Sequence, residues 1–161
     1  MSCLAYEMGF LNDMIEDKNQ SHQHPMPTRA EVDELLAFLP IFSVADYQPI
    51  RQWHGGPAGS TKSLFPWPEY DEAAGRFIEA ASKDCWNDRY DPDEVSRMLN
   101  GDAGLTQASL ADIRSMLTFC VRGERFCYGH VGGMIARGHV RRILERLKAI
   151  TTAYPGTERR D

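Results

Sequence analysis

The 161-residue sequence lacks any long apolar run. No stretch approaches the roughly 20 consecutive apolar residues that a membrane-spanning helix needs. The amino terminus also lacks the basic start and the small-residue cleavage site that mark an export signal. These absences argue against a membrane-bound or secreted protein. We therefore expect a chain located in the cytoplasm, with no membrane partner.

Cysteine is sparse, and its four positions form no Cys-x-x-Cys pair: Cys3, Cys85, Cys120 and Cys127. In a chain without an export signal this predicts reduced thiols and no disulfide framework. Four side chains are of the kinds that bind zinc: Cys120, Cys127, His130 and His139. Their spacing lacks the close cysteine pair that brings two thiolates together. No phosphate-binding loop is present either. We expect neither a metal nor a cofactor.

Charge is distributed unevenly along the chain, whose net value is −5. Met1 to Ser109 has 8 Lys and Arg against 18 Asp and Glu, which gives −10, whereas Leu110 to Asp161 has 10 against 5, which gives +5. Such asymmetry marks either a half that binds polyanions or two halves that attract each other on folding. The absence of runs of like charge favours the second explanation and argues against a nucleic-acid partner.

Helix signals dominate the rest of the sequence. Thr28 and Glu31 form a capping box, and Asp71, Asp91 and Ser109 are typical residues to begin further helices. Apolar residues at helical spacing follow each of these positions. We predict that the helix after Ser109 ends at Gly123 in a left-handed conformation, and that a helix over about 125–137 and a final helix follow.

These signals predict a mainly α single domain of five or six helices. A short irregular or slightly β segment is expected in the middle, between Ile41 and Pro66, because aromatic and β-branched residues mix there with proline and glycine. We divide the chain into an N-terminal helical arm and linker (1–27), the helical domain (28–152) and a polar tail (153–161). The arm has an apolar stripe, so it must pack on the body or join two copies in a homo-oligomer.

The junction between the helix that follows Ser109 and the helix over about 125–137 contains the best candidate for an anion site. Arg122 and Arg125 offer guanidinium groups, His130 lies nearby, and a helix N-terminus offers free amides, all of which suit a carboxylate or phosphate. The alternative is that one arginine pairs with an acidic residue of the first half and fixes the turn. We favour this structural role, above all for Arg125.

Two other groups of residues suggest chemistry. Cys127 and His130 are three positions apart, so on a helix they could form a thiolate–imidazolium pair, although a buried thiol and a hydrogen-bonded imidazole are the simpler interpretation. Aromatic and acidic residues in the 67–91 region could line a cleft for a ligand: Trp67, Glu69, Tyr70, Asp71 and Trp86. Large rings are more often core residues in a small helical domain.

Several segments together resemble a largely bacterial family of unknown function, domain of unknown function 6508. They are ELLAFLPIF at 34–42, WPEYD at 67–71, Cys85-Trp86, MLTFCVRGERFCYGH at 116–130 and GHVRRILERL at 138–147. The resemblance implies a small, mostly helical intracellular protein of prokaryotes or their phages, and it transfers no catalytic residue. Our leading hypothesis is a binding or accessory protein that contacts a partner or a small anion through Arg122, Arg125 and His130. The alternative is an enzyme that uses His130 with an acidic residue of 69–91.

Overall fold

A computed structural model describes residues 24–55 and 66–153, without the side chains of Asp102 and Ala103. Residues 1–23 of the predicted N-terminal arm and linker and residues 154–161 of the predicted polar tail lie outside these ranges. The described residues form eight α-helices, one short 3-10 helix (Asp84–Trp86) and one hairpin: α1 (Arg29–Leu36), α2 (Leu39–Phe42), β1 (Ile50–His54), β2 (Trp67–Tyr70), α3 (Glu72–Ala81), α4 (Pro92–Asn100), α5 (Asp102–Thr106), α6 (Leu110–Gly123), α7 (His130–Ala136) and α8 (His139–Ala153). The predicted mainly α class with a short β segment is confirmed.

The helix starts predicted at Thr28, Asp71, Asp91 and Ser109 are confirmed in detail. Thr28 Oγ1 accepts the amide of Glu31, and the Thr28 amide donates back to the Glu31 carboxylate at 2.7 Å. Ser109 forms the same reciprocal pair with Asp112 at the start of α6. Side-chain oxygens that accept these first amides satisfy donors that have no partner within the helix. Two short helices, α2 and α5, went unpredicted because they are too short for periodicity to show.

The core is centred on α6, which packs against α3, α7 and α8. Phe77, Trp86, Leu117 and Leu144 are each completely buried there. Full burial of one such side chain stabilises the fold by roughly 1.5–3 kcal/mol. Phe77 also meets the ring of Phe42 edge-on, with 5.4 Å between ring centroids. Within the described ranges, no helix is both long and apolar enough to cross a membrane.

The hairpin of β1 and β2 lies beside the helices and leads directly into α3. The strands run antiparallel, with Trp53 opposite Pro68 and His54 opposite Trp67, and the register shifts between Ile50 and Gln52. β2 begins just beyond the predicted limit of the irregular segment. The hairpin therefore presents one face to α7 and the other to solvent.

Candidate functional site

The turn between α6 and α7 consists of residues 124–129, which we call the binding turn. The predicted helix over 125–137 is wrong at its start, because α7 begins only at His130. The left-handed residue is Gly129, with φ of 82°, and not Gly123, which is the last residue of α6. Backbone amides of Phe126 and Cys127 donate to the Gly123 carbonyl at 3.1 and 2.9 Å. These bonds make the turn a compact extension of α6.

Glu124 fastens the binding turn to α7. Its Oε1 accepts the Gly129 amide at 2.8 Å, and its Oε2 accepts the Val131 amide at 2.9 Å. A carboxylate at a helix N-terminus satisfies free amides and meets the positive end of the helix dipole. The Tyr70 hydroxyl also hydrogen-bonds Glu124, and burial together with this carboxylate raises the pKa of Tyr70. The amides that we expected to hold an external anion are therefore occupied by the chain's own carboxylate.

His130 packs into the floor of the binding turn. Its ring lies on the backbone of Gly123 and meets Phe119 edge-on, with 5.4 Å between ring centroids. Its Nε2 is buried and has no hydrogen-bond partner in the described structure. Burial lowers the pKa of His130; the Glu124 carboxylate acts in the opposite direction and the Arg137 guanidinium in the same one. His130 is thus a neutral packing group at pH 7.

The contact between His130 and Gly123 predicts opposite effects for two helical glycines. A Cβ at Gly123 would lie 2.4 Å from Cδ2 of His130, whereas a Cβ at Gly75 in α3 would meet nothing within 4 Å. We expect Gly123→Ala to lower the free energy of unfolding by about 1–2 kcal/mol through overpacking. Gly75→Ala should instead raise it by up to about 1 kcal/mol, since alanine is the better helix former. Chemical denaturation of both variants measures the difference, and equal effects would contradict the packing assigned to His130.

Arg122 and Arg125 point away from this packed interior. Both side chains are exposed. Neither forms an ion pair with a carboxylate in residues 24–55 or 66–153. Both positive charges act on the half-buried Tyr90, whose pKa is raised by burial and lowered by the two arginines. The structural role predicted for Arg125 is therefore wrong, because its guanidinium meets solvent and not a buried acid.

The remaining arginines between Leu110 and Ala153 are held by the protein itself. Arg114 and Arg141 bind carboxylates, at 3.3 Å to Asp88 and 3.7 Å to Glu145. Three others donate to backbone carbonyls: Arg137 to Gly133, Arg142 to Leu99 and Arg146 to Ala108. Much of the basic character of α8 is therefore used to tie that helix to its neighbours. Arg122 and Arg125 differ in keeping their donors on the surface.

Three large rings surround the binding turn and remain exposed. Tyr128 is 57% exposed, Trp53 49% and Phe126 36%. Trp53 reaches the turn from β1 and lies over Gly129, where an added Cβ would come within 2.4 Å of its ring. We call Trp53, Phe126 and Tyr128 the aromatic surface. Exposed aromatic rings grouped in this way are typical of contact sites for other molecules.

The predicted acidic-aromatic cluster does not form a single cleft. Trp67 and Glu69 lie on the outer face of the hairpin, where His54 stacks on Trp67 and its Nε2 lies 2.7 Å from the Glu69 carboxylate. Tyr70 faces inward toward Glu124. Asp71 caps α3 by accepting the Ala74 amide at 2.9 Å, and it also binds the Tyr47 hydroxyl. Trp86 is completely buried in the core, which removes it from the surface.

The cysteines also differ from expectation at one position. Cys85 and Cys120 are free and buried, as predicted, and burial raises their pKa to about 11 and about 12. Cys127 is disulfide-bonded, so the prediction of a reduced thiol is wrong there. A bonded sulfur cannot act as the thiolate nucleophile considered for Cys127. Among the described residues, no three His, Cys, Asp or Glu side chains are placed to hold a metal ion.

Our choice of candidate residues missed Glu124 and Tyr128, and it considered Trp53 only among the aromatic residues of a cleft and not beside the binding turn. Glu124 follows the end of a helix pattern and precedes a Gly-His helix start, so its capping role could have been suspected from the glycine. Trp53 could not have been placed, because it is 76 positions from Gly129 in the sequence. Only the packing of the hairpin on α7 brings the two residues together.

Comparison with known proteins identifies the family. A model described as a family of unknown function (DUF6508) matches residues 27–153. Searches of curated proteins and of solved structures give no match. The matched segment contains every helix of the described structure, the hairpin and the whole binding turn. The chain therefore belongs to the DUF6508 family.

Proposed function

We propose that this protein is a small binding or accessory module, and that Arg122, Arg125 and the aromatic surface contact an acidic segment of a partner protein. The observation that carries the proposal is that two exposed arginine side chains and three exposed rings lie in the binding turn or next to it, Arg122 at the end of α6 and Trp53 on β1. A cytoplasmic location and a bacterial source are further proposals, which rest on the sequence alone.

The side chains suit such a partner chemically. Guanidinium groups donate two parallel hydrogen bonds to a carboxylate, which gives geometric selectivity as well as charge attraction. Arginine, tryptophan and tyrosine also contribute most of the residues that dominate binding energy at protein interfaces. An acidic segment with an apolar or aromatic anchor would use both features. Arg122 and Arg125 would bind its carboxylates while Trp53 and Tyr128 cover its anchor.

A protein segment fits this surface better than a small free anion. The enclosed amides of α7, which would give a small anion strong hydrogen bonds, already bind Glu124. What is left for an anion is a pair of exposed charges, and exposed charge pairs contribute only about 0–1 kcal/mol each. Useful affinity then needs the additional apolar area of the rings.

No observation favours the enzymatic alternative. The carboxylate whose charge acts on His130 is that of Glu124, not one from the 69–91 region. Both oxygens of Glu124 already accept backbone amides, and the Nε2 of His130 is buried. A general base needs access to the proton that it removes.

Assembly of two copies through the N-terminal arm remains a prediction.

Charge reversal tests the proposal. A fluorescein-labelled peptide that alternates glutamate with leucine and tryptophan is titrated with wild-type protein, and its anisotropy is followed at low salt. We expect the double variant Arg122→Glu, Arg125→Glu to bind at least about tenfold more weakly, since a tenfold loss corresponds to only about 1.4 kcal/mol. The matched control is Arg76→Glu, Arg97→Glu, which makes the same charge change at exposed positions on α3 and α4.

The control separates a specific surface from general charge attraction. Retained binding by the control supports the proposed surface. Equal weakening of both double variants, or none in either, would contradict it. Thermal melts with inorganic phosphate form a second arm: stabilisation that requires Arg122 and Arg125, without any peptide binding, would assign the site to a small anion instead.

A further inference from the structure

The imidazole of His130 is a half-buried titratable group whose Nε2 is enclosed, and it packs the start of α7 against Gly123 and Phe119 of α6, next to the binding turn. We propose that His130 is a pH-sensitive latch: protonation of its ring releases the binding turn from α7 and disperses the aromatic surface. The latch itself is independent of what the surface binds. Its effect on partner binding rests on the function proposed above.

The geometry gives the charged, doubly protonated ring no partner for the proton on its buried Nε2. Nε2 lies against Gly123, where a Cβ would be 2.6 Å away, and it has no hydrogen-bond partner in the described structure. A protonated Nε2 is a charged donor that must find water or an acceptor. The ring can give this donor a hydrogen-bond partner only by leaving the space between Gly123 and Phe119.

Two charged groups act on His130, and they oppose each other. Glu124 in the binding turn favours the protonated ring, whereas Arg137 at the other end of α7 disfavours it. Glu124 cannot become a new partner without loss, because its oxygens hold the Gly129 and Val131 amides and the Tyr70 hydroxyl. His130 is also the first residue of α7, where the helix dipole disfavours a positive charge. The Phe119 ring of α6, which meets the imidazole edge-on, is neutral.

Acidification therefore destabilises the closed turn. Because burial lowers the pKa of His130, the closed turn binds fewer protons than the opened turn at mildly acidic pH. The stabilisation from the neutral ring is fully present above the unperturbed histidine value of about 6.5 and is lost as pH falls below it. If the ring leaves and the binding turn separates from α7, the Glu124 carboxylate cannot keep its bonds to both the Gly129 amide of the turn and the Val131 amide of α7. The contact between Trp53 and Gly129 then loses its support.

NMR spectroscopy of the full chain tests the latch between pH 7.5 and 5.5, above the range near 4 in which carboxylates ordinarily titrate. The signals to follow are the His130 imidazole, the backbone amides of Gly129 and Val131, and the Trp53 indole. We expect the two amides to shift with the same midpoint as His130, and their protection factors, which allow for the slower intrinsic exchange at low pH, to fall at least about tenfold. His130→Phe removes the proton and should abolish both changes, with His130→Leu as a second variant if phenylalanine prevents folding.

His139→Phe is the matched control, because His139 is a second histidine whose pKa is lowered by burial and whose Nδ1 is buried without a partner. It should leave the response of the Gly129 and Val131 amides intact. Titration of His130 with no change in these amides, or the same change in His130→Phe, would overturn the latch. The acidic peptide is titrated into the same samples. If the amides respond but no peptide binds at any pH, the latch stands and the proposed function fails.

Discussion

Replacing Glu124 with alanine is expected to lower the free energy of unfolding by roughly 3 kcal/mol. The carboxylate accepts two backbone amides across the binding turn, and hydrogen bonds to a charged group contribute roughly 1.5–3 kcal/mol each. The variant would also leave the amides of Gly129 and Val131 without their acceptor. Urea denaturation measures the loss.

The control for this prediction is Glu145→Ala on α8. Glu145 is exposed and forms only an exposed pair with Arg141 at 3.7 Å. Its removal should change stability by less than about 0.5 kcal/mol. A loss of similar size in both variants would mean that Glu124 contributes charge alone and does not fasten the turn.

Replacing Arg114 with alanine is the second change with a large expected effect, again roughly 3 kcal/mol. Arg114 is 7% exposed, its Nη2 donates to the Asn87 carbonyl at 2.7 Å, and its Nη1 lies 3.3 Å from the Asp88 carboxylate. Removing the guanidinium leaves the half-buried Asp88 carboxylate without its ion-pair partner and the Asn87 carbonyl without its donor. The segment that joins Trp86 to α4 would lose one of its anchors on α6 and keep those made by Ser115 and Thr118.

Arg125→Ala is the comparison variant, since it removes the same side chain from an exposed position. We expect its stability to stay within about 0.5 kcal/mol of wild type. Thermal melts of the two variants side by side decide the matter. A destabilised Arg125→Ala with an unaffected Arg114→Ala would reverse the assignment of structural and surface arginines.

Arg114 and Arg125 show how much of the structure the sequence alone could predict. Capping residues such as Thr28, Asp71 and Ser109 act on amides two or three positions away, so local patterns predicted them correctly. Whether Arg114 or Arg125 binds a carboxylate depends on which of them lies near Asp88 in the folded chain. Sequence spacing does not show this, because the contact is long-range. Arg114 lies in the polar spacing of an amphipathic helix and gives no local sign of burial.

In the binding turn, too, local patterns predicted some features, whereas others depend on long-range contacts. Glycine, arginine and histidine between two helix patterns correctly indicated a helix junction. The identity of the left-handed residue was wrong because both Gly123 and Gly129 suit that backbone. What decides between them is the ring of His130, which needs the bare backbone of Gly123 inside α6. The acceptor for the α7 amides was missed because Glu124 reaches forward across the turn and not back within a helix.

The most direct test of the account is NMR mapping of the acidic peptide on the full chain. The account predicts shifts at the Arg122 and Arg125 side chains, the Tyr128 amide and the Trp53 indole. The amides of Gly129 and Val131 should stay bonded to Glu124 and keep their protection from exchange. Shifts confined to those two amides, which would mean that the ligand displaces Glu124, or shifts confined to α3 and α4, would contradict it.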